Sequence, residues 1–111
     1  MTHVDSSRLL LIESDAASRA TLALILRRRH LVVEFGTSAD ALEHLALGEM
    51  PCLILCVLRD GDDSATFRSA QVADPEWLAV PTVMFSAHTE LSDAFVDALF
   101  VLAGRHCVTV Q

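Results

Sequence analysis

Five short apolar runs recur along the chain: Leu9–Ile12, Leu31–Phe35, Cys52–Leu58, Thr82–Ser86 and Cys107–Val110. Each is strand-length, and each is bounded by polar residues, glycine or proline. Runs that are apolar at consecutive positions must be covered on both faces, because successive strand side chains point to opposite sides of a sheet. Helix-length segments separate the runs. The order βαβαβαβαβ therefore predicts an α/β fold, a doubly wound parallel five-stranded sheet with helices on both sides and right-handed crossovers.

The intervening segments carry helix signals. Asp15 or Ser14 caps a helix over roughly 16–29, with Leu22, Ile25, Leu26 and Arg29 at three- and four-residue spacing. Thr37 or Ser38 caps a second helix near 39–47, and Gly48 ends it. A third helix falls over 65–73. Asp74-Pro75 then turns the chain, with Trp77 and Leu78 packing back under it. Thr89 caps a helix running to about Ala103. Residues 1–7 read as a flexible N-terminal arm and 8–111 as one domain.

Charge and cysteine usage narrow the function classes. The net charge of -7 repels a nucleic-acid backbone. The one basic cluster, Arg27-Arg28-Arg29-His30, is read as a helix end, where cations complement the dipole. Cys52, Cys56 and Cys107 lie in apolar runs with no metal-binding spacing, so they are expected to be buried reduced thiols. No apolar run approaches the ~20 residues of a membrane span. The expectation is a cytoplasmic protein with no membrane or nucleic-acid contact.

In a doubly wound sheet the site lies beyond the C-terminal strand ends, where strand order reverses. That places Glu13, Ser14 and Asp15 after the first strand, Leu58 to Asp63 after the third, and Ser86, Ala87 and His88 after the fourth. The third-strand tip, LILCVLRDGDD, runs from apolar residues into three acids. Glu13, Asp15 and Asp60 form a candidate weak Mg²⁺ site; the alternative is a solvated acidic loop. No Ser-His-Asp set, G-x-G-x-x-G or P-loop occurs.

Three segments, RLLLIESDAASR, MPCLILCVLRDGDD and VPTVMFSA, resemble in order and separation the receiver domain of two-component response regulators. The resemblance spans about Arg8 to Val110 and implies a flavodoxin-like fold with strand order 2-1-3-4-5. Receivers accept a phosphoryl group on an aspartate after the third strand, with Mg²⁺, a pair of acids, a hydroxyl and a lysine. Carried over residue by residue, the acid pair falls on Glu13 and Ser14, the acceptor on Val57, the hydroxyl on Ser86 and the lysine on Val110. Only Glu13 and Ser86 keep the required chemistry, and the chain contains no lysine. Receivers also carry a fifth helix, which is absent after Val110.

The resemblance therefore implies a degenerate receiver, a pseudo-receiver. It is expected to be no enzyme, to need no cofactor beyond weak Mg²⁺, and to act through protein–protein contact. The alternative is a phospho-accepting receiver in a phosphorelay that uses a non-standard loop acid such as Asp60. The helix from Thr89 is too apolar for one buried stripe. Leu91, Ala94, Phe95, Ala98, Leu99 and Leu102 make a first stripe expected to face the sheet. Val96, Phe100, Val101 and Ala103 make a second, expected to form a homodimer or partner interface together with the fifth strand.

Overall fold

The structure is a computed structural model that describes residues 3–61 and 63–107. Four parallel strands, β1 (His3–Ile12), β2 (Leu31–Phe35), β3 (Glu49–Leu58) and β4 (Thr82–Ser86), form one sheet in the order β2-β1-β3-β4. Five helices accompany them: α1 (Ala16–Leu26), α2 (Ser38–Ala46), α3 (Ser64–Ala73), α4 (Pro75–Leu78) and α5 (Asp93–His106). The expected fifth strand, with Val110 and Gln111, lies outside the described residues apart from Cys107.

The central strands are covered on both faces, as their apolar runs require. Leu9 and Leu11 of β1, with Leu53, Leu55 and Val57 of β3, belong to a core shared with Leu22, Ala23 and Leu26 of α1 and Leu99 and Ala103 of α5. Leu10, Ile12, Ile54 and Cys56, which alternate with them, belong to the opposite core with Ala41 and Leu45 of α2 and Phe67 of α3. The arm expected over residues 1–7 is strand from His3 onward, where His3, Val4 and Asp5 pair with Glu49, Met50 and Pro51. The register shifts between Asp5 and Leu9. Pro51, which has no N–H to give a ladder, sits at the edge of that irregularity.

Local signals set most helix ends. Asp15 accepts from the Ser18 N–H and Thr37 from the Asp40 N–H, so both act as the expected N-caps. Gly48 follows α2 with φ 91°, and Gly61 lies in the turn after β3 with φ 81°. Both positions favour a residue without Cβ. α1 ends at Leu26, short of the expected Arg29, because the chain turns through 27–29 to bury His30. Asp74 caps the short helix α4, with Pro75 in its first turn. Trp77 packs against the α2/α3 core as expected, whereas Leu78 stays exposed.

The last helix departs most from expectation. It starts at Asp93, capped by Ser92, which accepts from the Phe95 N–H; Thr89 is not its cap. It also lies on the α1 face. A right-handed crossover from β4 to a further strand beyond it would put the connecting helix on the α2/α3 face, as α3 is for β3 and β4. Among the described residues the sheet has four strands. Among the described residues no helix is long and apolar enough to cross a membrane.

Candidate functional site

The C-terminal tips of β1, β3 and β4 meet around a cavity of about 130 Å³ lined by Glu13, Ser18, Leu22, Val57, Arg59, Phe85, Ser86, Ala87, Thr89 and Leu91. This is the predicted strand-end site. It brings together Glu13, Val57 and Ser86. Ser14 and Asp60 do not line it, and Val110 lies outside the described residues.

Glu13 is 1% exposed, because parallel β1 carries it to the end of the core between two neighbouring strands. Its Oε1 accepts from the Asp15 N–H at 3.0 Å and from Nε of Arg59, with which it forms an ion pair. The Arg59 Nη2 donates to Ser18 Oγ at 3.1 Å. Glu13 Oε2 is buried and has no hydrogen-bond partner among the described residues. A buried carboxylate needs a countercharge, and Arg59 supplies one.

Val57 is 5% exposed, with its side chain in the α1/α5 core. It extends the apolar run to the strand tip and has no group that could accept a phosphoryl. Ser86 is exposed, and its Oγ accepts from the His88 N–H at 3.1 Å. That is a local turn contact. His88 itself does not line the cavity.

The candidate metal set does not assemble. Asp15 is committed to capping α1: the Ser18 N–H, then the Ser18 hydroxyl, hold its carboxyl below the ordinary range, with smaller help from Arg59 and Arg19. Asp60 lies away from the cavity and Glu13 is paired with Arg59. Among the described residues no group of three His, Cys, Asp or Glu side chains is placed to hold a metal. A divalent cation at this strand end would meet one carboxylate, a valine and a guanidinium. Those residues do not fit Mg²⁺, which seeks hard oxygen ligands in near-octahedral array.

Arg59, which the sequence did not single out, and Asp63, weighed as a possible metal ligand, organise the loop. Arg59, two positions past Val57, is the basic residue in an acidic stretch, and the isolated acid Glu13 at an apolar strand end was the cue to its partner. Asp63 receives the Ser38 N–H on both carboxylate oxygens, at 3.0 and 3.2 Å, and its carbonyl accepts the Ser38 hydroxyl at 2.8 Å. The loop after β3 is thereby tied to the N-terminus of α2, where a negative charge is favoured. Asp63 is thus a structural anchor.

The candidate interface on the last helix is also redrawn. Ala103 is 1% exposed and belongs to the core. Phe100 and Val96 are half-buried. Arg29 lies over the Phe100 ring at 4.8 Å, and His30 stacks on it at 6.3 Å. Val101 is exposed, as are Ala94 and Ala98, which were expected to face the sheet. The helix is rotated relative to the expected stripe, with Leu99 and Ala103 buried.

No protein-family model and no curated protein matches the chain. Among solved structures, 41 chains match. One is a fusion carrying the yeast Spc42 trimeric coiled-coil, amino acids 181–211, with TM-score 0.72 and 22% identity over 95% of this chain and 83% of that one. At that identity the likeness concerns the fold alone.

Proposed function

We propose that this chain is a receiver-like signalling module that works through contact with protein partners and without aspartyl phosphorylation. The observation that carries the reading is the strand-end site itself. Val57 stands buried where an acceptor is needed, and the Arg59 guanidinium is paired with Glu13 where a metal would be needed. Phosphoryl transfer to a carboxylate concentrates negative charge, which receivers neutralise with a metal and a lysine. Here the buried carboxylate already has a fixed cation, and the chain has no lysine. The sheet order and the strand-tip cavity support the reading, since a doubly wound fold binds at this edge.

The test is intact-mass measurement after incubation with acetyl phosphate and Mg²⁺. No stable gain of one phosphoryl group is expected. A gain that disappears in Asp60→Ala would replace this reading with the phospho-accepting one. For contact with a second copy, the outward face of α5 around Val101, 59% exposed, is the proposed surface. Sedimentation equilibrium should show association that Val101→Asp weakens; a strict monomer at tens of micromolar would confine the contact to other proteins.

A further inference from the structure

Cys52 and Cys107, expected to be reduced thiols, are joined by a disulfide, whereas Cys56 stands outside that bond and is fully buried. The bond links the start of β3 to the residue that caps the C-terminal end of α5. The sequence did not signal the pair, because 55 positions separate them and the expected five-stranded order puts the helix on the other face.

We infer that Cys52–Cys107 is a thiol-exchange site for a dithiol reductant, and that its reduction releases α5 from the sheet. The inference does not depend on the interaction-module reading. Three observations carry it.

First, α5 has few other anchors. Of its 14 residues only Leu99 and Ala103 are buried. Phe95 meets Phe85 edge-on at 5.2 Å and Phe100 is half-buried under Arg29. At its other end the helix joins β4 through residues 87–92. The disulfide fixes the end remote from that connection.

Second, Cys52 adjoins an opening. Cys52 lines a groove of about 410 Å³ with Met50, Pro51, Val80, Pro81 and His106. Cys52 and Cys107 keep 5% and 6% of their surfaces exposed. An attacking thiolate has an approach to Cys52 that it lacks to fully buried Cys56.

Third, the reduced state has a place for its proton. Cys52 Sγ lies 3.0 Å from the Arg8 carbonyl oxygen. A disulfide sulfur has no hydrogen to donate, but the thiol formed on reduction does, and that carbonyl accepts it.

The exchange conserves electrons and protons. One thiolate of the dithiol attacks Cys52 Sγ, forms a mixed disulfide and expels the Cys107 thiolate, which takes a proton. The second thiolate of the reductant attacks its own sulfur in the mixed disulfide and expels the Cys52 thiolate. The reductant leaves as a disulfide, and Cys52 takes the second proton. Two electrons and two protons have passed to the protein.

The experiment uses the whole chain with dithiothreitol as the dithiol. Alkylation of unfolded, unreduced protein should add one adduct, at Cys56, and three after dithiothreitol. Hydrogen exchange followed by mass spectrometry should then rise roughly tenfold or more in α5 on reduction, while α2 and α3 change little. Cys107→Ser should exchange in α5 like the reduced wild type, with or without dithiol. If that variant does not fold, the dithiol titration of the wild type decides alone. Three adducts after treatment with glutathione disulfide would overturn the proposal. So would unchanged exchange in α5, or an equal rise across α2, α3 and α5.

Discussion

The two faces of the sheet are closed by different chemistry. On the α2/α3 face, helices that connect neighbouring or near-neighbouring strands are held by packing and by buried polar bonds: Phe67 is fully buried, and the Gln71 amide, also fully buried, donates to Thr82 Oγ1 at 2.6 Å and to the Trp77 carbonyl at 3.3 Å. Ser38 and Asp63 tie α2 to the loop before α3. On the α1/α5 face, α1 is a crossover helix, but α5 leads from β4 to no described strand. That face is completed by a covalent bond at the bottom of the sheet and by the Arg59–Glu13 pair at the top. A crossover helix is constrained by the chain at both ends, and packing suffices. α5 leads into no described strand, and cross-linking its far end removes freedom from the competing open states.

The largest effect expected from breaking this asymmetry is reduction of Cys52–Cys107. In the chain-entropy account a cross-link over 55 positions is worth about 4 kcal/mol. Urea unfolding with and without dithiothreitol should show a loss near that size. A shift under about 1 kcal/mol would mean that packing alone holds α5, as it holds the other face.

Next comes Arg59→Ala, which leaves the buried Glu13 carboxylate without its cation. Removing one member of a buried pair typically costs about 3–5 kcal/mol, and Arg59 is itself 30% exposed, so about 2–3 kcal/mol is expected. Glu13→Gln/Arg59→Met should recover much of it, since both charges then leave together. Failure of the double variant to recover would show that Arg59 acts through packing and not through charge.

On the other face, Gln71→Ala should cost about 2 kcal/mol by leaving Thr82 and the Trp77 carbonyl short of a donor and by opening space beside them. The useful reading is the sum with the first experiment: the cost should be the same in oxidised and reduced protein. A difference larger than about 0.5 kcal/mol would show that the two faces are coupled through the sheet.

The smallest effect belongs to Asp15→Ala at the start of α1. The Ser18 N–H and hydroxyl favour the charged carboxylate in the folded state, so its pKa there is depressed. A depressed folded pKa gives stability that is present above the ordinary carboxylate range and is lost as pH falls through the folded value. The variant should therefore melt slightly lower than wild type at pH 7, and the gap should close in strong acid. A gap that persists unchanged to about pH 2 would assign the effect to helix propensity and not to the charged cap.

Much of the architecture was legible in the residues. LLLI, LVVEF, CLILCVL and TVMFS are strands because apolar residues at consecutive positions must find cover on both sides, and a parallel sheet between helices provides it. Asp15, Thr37 and Gly48 act where their local chemistry put them. The location of a site at the strand tips comes from the same topology. These features depend on neighbours within a few residues, or on the alternation of strand and helix, and both are written directly in the chain.

The tertiary structure alone decided the rest. Periodicity shows that α5 has an apolar stripe but not which face of the sheet receives it; Ala103 and Val101 are both apolar in sequence, yet one is core and the other solvent-facing. Cysteine spacing cannot reveal that Cys107 arrives at Cys52, since the meeting depends on that choice of face. Nor does sequence order show Arg59 returning to Glu13, 46 positions away, to serve as its cation. Pairing across such distances is set by how the strands are ordered and how the helices pack, and a one-dimensional pattern holds only the periods that make such packing feasible.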